Sequence, residues 1–241
     1  MQENERNGVI FEELQWDTQF FGVSCAKAVL HRPLSLHEWD DLKQKFCNYQ
    51  FLSIKNCNSE SQNSQLIGKD TSAFLADVNL QFMKKINYPS KIPEHIKIYQ
   101  AMKKNEQIID MAEFKYSKFL EDFQLKMRGG DLVYEQWIRN AFEKPEKYFM
   151  ISKENNKING FLLYSFHGAA CVIELIAVDK KSVKTGIGTS LFQGLESEVY
   201  RMGIDMIQVG TQVKNIEAIN FYHKVGCNHV GSHQIYHLWN L

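Results

Sequence analysis

Two glycines in the C-terminal half of the 241-residue chain could let its backbone hold an anion. Gly186 and Gly188 stand in ELIAVDKKSVKTGIGTSLFQGL, from Glu174 to Leu195, which predicts an apolar strand, a loop and an amphipathic helix. Glycine permits close approach to a ligand, and the free N–H groups of a first helical turn lie at the positive end of the macrodipole. The segment therefore predicts a phosphate cradle; an ordinary strand-to-helix turn is the alternative.

A second pair of candidate residues follows in NIEAINFYHKVGC, from Asn215 to Cys227. Asn215 and Tyr222 are seven residues apart, so in a helix they share one face and lie two turns from each other. A phenol placed there can donate a proton to a leaving group. The alternative is an ordinary helix tyrosine.

Three short strands precede these motifs, at Tyr148–Ser152, Ile158–Ser165 and Ala170–Val178, and their polar tips are short enough for antiparallel hairpins. Together with the glycine turn and the N-x-x-A-x-x-F-Y-x-x-x-G-C pattern, they resemble the GNAT acyltransferases. The resemblance implies a mixed α/β (α+β) fold whose central sheet is splayed at two parallel strands, here those ending near Val178 and Gln212. Acetyl-CoA would be the co-substrate, with its pantetheine in the notch and no metal.

The resemblance also assigns roles to residues. The CoA pyrophosphate would lie on the N–H groups of Lys184 to Thr189, backbone N–H groups at Ala177 and Val178 would polarise the thioester carbonyl, and Tyr222 would protonate the departing sulfur. The predicted acetyl-CoA contacts are Ile176, Ala177, Val178, Val183, Lys184, Thr185, Gly186, Ile187, Gly188, Thr189, Asn215 and Tyr222. Val183 departs from the family, which usually has Gln or Arg three residues before the first glycine; the match is weakened but not broken, because this site acts largely through backbone N–H groups.

Glu174 interrupts an otherwise apolar strand, and a carboxylate there is costly unless it faces a wet cleft or a partner. It is the candidate general base that accepts the proton of the attacking amine. A structural ion pair is the alternative, and the sequence leaves both open.

A second resemblance concerns the acceptor. The segments LQWDTQFFGVSCAKA (Leu14 to Ala28), SKFLED (Ser117 to Asp122) and YEQWIRNAF (Tyr134 to Phe142) are similar to the dTDP-fucosamine acetyltransferases. This implies an amine on a nucleotide-linked dideoxy sugar as substrate, used in cell-surface glycan synthesis, with contacts from Ser117, Lys118, Tyr134 and Trp137. Alternatively, Trp16, Phe20, Phe21 and Trp137 pack two domains together.

The rest of the pattern indicates how the chain is divided. Strands are predicted at Phe51–Ile54 and Phe74–Ile86, with a polar loop over Asn56–Thr71 between them. The turn-like segment NYPSKIPE then marks a boundary. We expect a small N-terminal α/β domain on the substrate side, residues 1–90, and a GNAT domain that binds acetyl-CoA, residues 91–241.

Composition restricts the partners. Twenty-eight basic and 28 acidic residues give a formal net charge of +0, so no global field favours nucleic acid or an anionic membrane. The five cysteines are scattered and predict reduced thiols, and no apolar run is long enough to span a bilayer, so we expect a cytoplasmic protein. His229, His233 and His237 fall in predicted terminal strands, so no metal site is expected there. The oligomeric state stays open, a homodimer included.

Two other functions compete with sugar acetylation. A GNAT enzyme could acetylate another primary amine, such as a protein N-terminus, a polyamine or an antibiotic. A non-catalytic acyl-CoA-binding module is the third alternative, and the presence of both Asn215 and Tyr222 argues against it.

Overall fold

The computed structural model describes residues 8–88 and 91–240. Strands and helices alternate in its N-terminal part. They are β1 (Val9–Glu13), α1 (Gln15–Phe21), β2 (Cys25–Leu30), α2 (Leu36–Phe46), β3 (Phe51–Asn56), α3 (Ser61–Asp70) and β4 (Phe74–Lys85). Helix α2 begins at a capping box, in which the Ser35 side chain accepts the Glu38 N–H and the Glu38 carboxylate accepts the Ser35 N–H.

Helix α3 shows that the predicted polar loop over Asn56–Thr71 was wrong. The Glu60 side chain accepts the N–H of Gln62 at the start of this helix, and Leu66 and Ile67 are buried on its inner side. Only two large apolar residues point inward, so the helical period is too weak to recognise in a run of Ser, Asn and Gln.

The elements of the C-terminal part include the three predicted hairpin strands and the predicted helices that follow Gly186 and carry Tyr222, with ends shifted by a few residues. They are β5 (Ile96–Gln100), α4 (Glu106–Asp110), α5 (Lys118–Glu121), α6 (Phe123–Lys126), α7 (Val133–Ala141), β6 (Tyr148–Glu154), β7 (Lys157–His167), β8 (Ala170–Val178), α8 (Ile187–Arg201), β9 (Met206–Gln212), α9 (Ile216–Lys224) and β10 (Asn228–Trp239).

All ten of these strands form one mixed sheet, in the order β1-β2-β3-β10-β4-β9-β8-β7-β6-β5. Strand β4 lies between β9 and β10 and pairs antiparallel with both. Strand β3, also from the N-terminal part, pairs with the other side of β10. The two ends of the chain are therefore interleaved in one sheet.

The sheet pairing crosses the predicted domain boundary after residue 90. Residues 89–90 themselves lie outside the described part of the chain. Strand β4 lies before that boundary and supplies the sheet neighbour of β9, which lies after it. The division into two domains stays a prediction, and hydrogen bonding of the sheet crosses it.

The sheet opens between its parallel strands β8 and β9. Their pairing runs from Ala170 opposite Met206 to Ile173 opposite Val209 and stops there, although both strands continue. In the β7–β8 hairpin, Tyr164 pairs with Ile173 and Leu163 with Leu175, which leaves Glu174 as the extra residue of a β-bulge. The predicted splay is confirmed, and it begins at Glu174, three residues before Ala177, the first residue whose N–H group is predicted to polarise the thioester.

Helices cover both faces of the sheet around this opening. On one face, Leu191, Phe192 and Leu195 of α8 pack with Ile173 and Val209. On the other face, α4 and α7 bury their apolar residues against Phe161, Leu163 and Leu175. Helix α8 therefore lies on one face of the splay, and α4 and α7 lie on the other.

Candidate active site

The predicted phosphate cradle lies where β8 leads into α8. Gly186 precedes the helix with φ of +93°, a left-handed conformation that favours glycine, and Lys184 has φ of +67°. Within the described part of the chain, no side chain caps the first turn of α8, and this turn contains no acidic residue. Its N–H groups are therefore available to an anion. The predicted residues Lys184, Thr185, Ile187, Gly188 and Thr189 all belong to this loop and first turn, and Val183 is exposed just before them.

A cleft of about 390 Å³ occupies the splay itself. Glu174, Leu175 and Ile176 line it from β8, and Gly210 and Gln212 line it from β9. A neighbouring cleft of about 590 Å³ follows Ile176, Ala177 and Val178 toward the cradle. Asn215 lines both clefts, and its side-chain oxygen caps α9 by accepting the Ala218 N–H at 3.1 Å.

Tyr222 lines the splay from helix α9. Its side chain packs against Phe82 and Phe221, with ring centroids 5.5 and 5.4 Å away, and the residue is 3% exposed. The Tyr222 hydroxyl has no hydrogen-bond partner among the described residues. Burial raises the pKa of the Tyr222 phenol well above its usual value, with a smaller contribution from the Cys227 thiol. The group is therefore protonated at neutral pH and has a proton to donate.

Glu174 has the ion-pair partner that the alternative interpretation requires. Its Oε1 accepts hydrogen bonds from the Lys147 ammonium and from the Ser165 hydroxyl, and its Oε2 lies 3.3 Å from the Trp137 indole nitrogen. The side chain is 8% exposed and lines the cleft of the splay. The carboxylate is thus both paired and positioned beside the predicted reaction centre.

The predicted acceptor contacts lie on the sheet face opposite α8. Lys118, Tyr134 and Trp137 line the splay, and the Tyr134 hydroxyl accepts a hydrogen bond from Gln212 at 3.3 Å. Ser117 lines a smaller adjoining cleft and instead caps α5 by accepting the Phe119 N–H at 3.1 Å. Three of the four predicted contacts are therefore brought together at the splay.

The aromatic residues of α1 test the alternative that they pack the N-terminal and C-terminal parts together. Trp16 stacks on Phe20 at 4.8 Å, and the buried Phe21 lies 6.2 Å from Phe119, which links α1 to the C-terminal part. Trp16 also lines, with Trp137, an outer cleft of about 590 Å³. Phe20 and Phe21 pack the two parts together, whereas Trp16 and Trp137 also face a cleft.

Residues from β3 and β4 complete the main cleft, and the sequence argument missed them. Lys55, Asp77 and Asn79 line it although they precede the predicted GNAT domain. A signal was available: polar Asp77, Asn79 and Gln81 alternate with apolar residues along β4, a period of two that is typical of a strand with one wet face. Its target could not be read from the sequence, because only the pairing of β4 with β9 brings that face to the splay.

Gly210 is the position in β9 that lets this polar face reach the cleft. A Cβ at Gly210 would lie 2.5 Å from Asn79 Oδ1 and 2.9 Å from Gln81 Nε2, so these two amides cross directly over the glycine. They are also hydrogen-bonded to each other. Any side chain at Gly210 would displace them.

The cleft carries local positive charge in a protein of zero formal net charge. Lys55, Lys115 and Lys118 line it against Asp77 and Glu174, and Glu174 already has a cationic partner. Burial lowers the pKa values of Lys118 and Lys55, whereas it raises the pKa of Asp77 to about 6. An anionic ligand would compensate for the desolvation of these ammonium groups.

Over the described ranges, 8–88 and 91–240, no cluster of three His, Cys, Asp or Glu residues suited to a metal ion is found. The terminal histidines lie in strand β10, as predicted. His237 is buried, with Nδ1 2.8 Å from Asp122, and the Trp239 indole donates to the same carboxylate at 2.9 Å.

Among residues 8–88 and 91–240, no helix is long and apolar enough to cross a membrane.

The splayed sheet, the uncapped glycine turn and the helix that carries Tyr222 define an acyl-CoA-dependent acyltransferase fold. The chain belongs to the acetyltransferase (GNAT) family, whose model matches residues 106–227. The mixed α/β GNAT fold predicted from the sequence is confirmed.

Two curated relatives come from Bacillus subtilis strain 168. The spore coat polysaccharide biosynthesis protein SpsD is 24% identical over 140 residues, 56% of this chain and 47% of SpsD. The uncharacterized protein YxbD is 33% identical over 104 residues, 43% of this chain and 63% of YxbD. The match spans about half of SpsD and less than two thirds of YxbD.

Among solved structures, a GCN5-related N-acetyltransferase from Sphaerobacter thermophilus superposes with a TM-score of 0.62. The superposition covers 96% of this chain and 76% of that one at 13% sequence identity. It supports the fold over nearly the full length, including the N-terminal strands.

Proposed function

We propose that this chain transfers the acetyl group of acetyl-CoA to the amine of a nucleotide-linked amino-dideoxy sugar, in a pathway that builds a cell-surface glycan. The observation that carries the proposal is the cleft on the acceptor side of the splay, which combines three lysines with aromatic and amide side chains. Lysines suit a diphosphate, and neutral amides suit sugar hydroxyls. The similarity to SpsD, named for spore coat polysaccharide biosynthesis, supports a role in glycan synthesis.

The donor would approach from the α8 side. Its pyrophosphate would lie on the N–H groups of the turn from Lys184 to Thr189, and its pantetheine would follow Ile176 to Val178 into the splay. Backbone N–H groups of β8 between the Glu174 bulge and Val178 would stabilise the oxyanion of the tetrahedral intermediate. Since acetyl-CoA and nucleotide sugars are cytoplasmic metabolites, we place the reaction in the cytoplasm.

Tyr222 would act as the general acid. The hydroxyl would protonate the CoA sulfur as the C–S bond breaks, and the high pKa of a buried phenol keeps the proton in place until then. The thiolate would form in the same desolvated cleft, which raises the pKa of the sulfur as well. Proton transfer from the phenol to the thiolate is therefore less unfavourable than the pKa values of a phenol and a thiol in water suggest.

Glu174 would act as the general base. Its carboxylate lies at the bulge where the sheet opens, on the same side as Tyr134 and Trp137, from which the acceptor would approach. The weakly held Oε2, 3.3 Å from the Trp137 nitrogen, is the oxygen that would accept the proton of the amine. The ion pair with Lys147 would hold the carboxylate in this orientation.

The test is release of CoA thiol from acetyl-CoA with a panel of amines. The panel contains dTDP- and UDP-linked amino-dideoxy sugars, the free amino sugars, spermidine, an aminoglycoside and a peptide N-terminus. We expect turnover with a nucleotide-linked sugar and much weaker turnover with the matching free sugar. Lys118→Met should reduce this difference by raising KM only for the nucleotide-linked form. Preference for spermidine or the peptide would refute the sugar assignment, and acetyl-CoA binding without turnover on any amine would indicate a non-catalytic module.

A further inference from the structure

A chain of hydrogen bonds leads from Glu174 to the protein surface. The Ser165 hydroxyl donates to Glu174 Oε1, and Ser165 Oγ lies 3.1 Å from His167 Nε2. Ser165 and His167 are two residues apart in β7, so their side chains project from the same face. The bulge in β8 turns Glu174 toward that face, where it meets Ser165.

The three groups differ in their access to water. Ser165 is 2% exposed, the Glu174 side chain is nearly as buried, and His167 is exposed at the end of β7. Glu174 lines both the splay and the outer cleft, and His167 lines only the outer cleft. The chain therefore begins beside the proposed reaction centre and ends in solvent.

We propose that Ser165 and His167 form a relay that carries a proton from Glu174 to bulk water. This inference rests on the proposed function. Acetylation of an ammonium group yields an amide, CoA thiol and one proton, so each turnover must release one proton from the cleft. Without an exit, Glu174 would stay protonated and could not accept the proton of the next amine.

The transfer balances along the three groups. The Glu174 carboxyl gives its proton to Ser165 Oγ while the hydroxyl proton of Ser165 passes to His167 Nε2, and the imidazolium then releases a proton from Nδ1 to water. Proton exchange of the exposed imidazole with water then restores the tautomer that carries its proton on Nδ1, so that Nε2 can accept the next proton. A hydroxyl and an imidazole can each both donate and accept, as this requires. The last side-chain torsion of Glu has a broad, roughly two-fold energy profile, so the carboxyl group can rotate about it. A proton taken up on Oε2 can therefore be turned toward Ser165.

Other charged groups surround this path without completing it. Lys147 pairs with Glu174, and Lys144 and Asp17 line the outer cleft. The Lys147 ammonium has no acceptor lone pair and so cannot take the proton from Glu174. Among these groups, only the path through Ser165 joins Glu174 by hydrogen bonds to a surface side chain that can accept a proton.

The relay is tested with His167→Ala, assayed with a nucleotide-linked amine under conditions in which chemistry limits turnover. We expect a fall of roughly 100-fold in turnover, the lower end for loss of a proton-transfer group, with KM for acetyl-CoA unchanged. Added imidazole should restore turnover, and the more basic 4-methylimidazole should restore more of it. Ser165→Ala should show a similar loss that neither base restores. The control is His37→Ala on α2; the His37 side chain is 86% exposed and, among the residues that the structure describes, pairs with Asp41 on the surface.

The outcomes separate the two proposals. Wild-type turnover in His167→Ala, or a loss that does not depend on the basicity of the added imidazole, overturns the relay and leaves the acetyltransferase assignment intact. A wild-type protein that acetylates none of the amines overturns both. Equal melting temperatures of Ser165→Ala and wild type would show that its loss of turnover does not come from unfolding.

Discussion

Tyr222→Phe is the substitution that most directly separates chemistry from folding in this site. The change removes one hydroxyl from a side chain that is 3% exposed and keeps the ring between Phe82 and Phe221. Within the described residues the hydroxyl has no hydrogen-bond partner to lose. The substitution should therefore act on proton donation and leave packing intact.

The two expected magnitudes are far apart. Since no hydrogen bond and almost no packing are lost, the free energy of unfolding should change by less than about 1 kcal/mol. In a domain of this size that corresponds to less than about 4 °C in melting temperature. Loss of a general acid should lower turnover by roughly 100-fold to 10,000-fold. That is about 3–5 kcal/mol of transition-state stabilisation.

The assay is thiol release under single-turnover conditions, with acetyl-CoA affinity measured separately by calorimetry. Tyr164→Phe is a matched control, because Tyr164 is also fully buried in the same core and its hydroxyl has no partner among the described residues. Tyr164 does not line the cleft of the splay. Its substitution should leave turnover unchanged and stability equal or slightly higher.

The acid role would be refuted by a Tyr222→Phe variant that keeps more than about a third of wild-type turnover when chemistry limits the rate. A large fall in turnover together with an equal fall in acetyl-CoA affinity would also contradict it, because the hydroxyl would then act in binding. A fall restricted to turnover, with Tyr164→Phe normal, is the expected result.

Three further predictions follow from the fold. Gly186→Val should abolish acetyl-CoA binding in calorimetry while the protein stays folded, since its Cβ meets no atom within 4 Å. Gly203→Val, with similar open space and φ of +71°, carries comparable strain away from the cradle and should bind normally. Burial raises the pKa of Asp77 from 3.8 to about 6, so unfolding becomes easier as pH rises through that window. Asp77→Asn should therefore be more stable than wild type by about 1–3 kcal/mol above both pKa values and equal to it below them, as measured by urea unfolding at each pH; equal pH profiles would contradict this. A fragment of residues 91–241 lacks β4 and should not fold alone by circular dichroism, whereas co-expression with residues 1–90 should restore it; a folded fragment would show that β4 is dispensable.

Much of the fold was predictable because its signals are local. The hairpins of β6, β7 and β8 connect strands through short polar tips, and α8 follows a glycine turn within one stretch of sequence. The cradle around Gly186 and the helix that carries Tyr222 are also features whose sequence signals are local. Their secondary structure is confirmed, and their roles in binding and catalysis stay predictions.

The environment of Glu174 was only half predictable. A carboxylate in an apolar strand indicated either a cleft or a partner, and the structure contains both. Neither Lys147 nor Ser165 could be named as its partner from the sequence. Their positions depend on the strand register and on the bulge that turns Glu174 toward the same face of the sheet.

By itself, the sequence determined the class of fold, the glycine turn before α8 and the helix that carries Tyr222, because each is specified by residues close together in the chain. The tertiary structure alone decided that β4 lies between β9 and β10, and so that Asp77 and Asn79 line the cleft. The physical reason is that strand order arises from burying side chains and pairing backbone groups across the whole molecule. The local alternation of polar and apolar residues predicts a strand and its wet face, but it contains no information about which distant strand that face will lie beside.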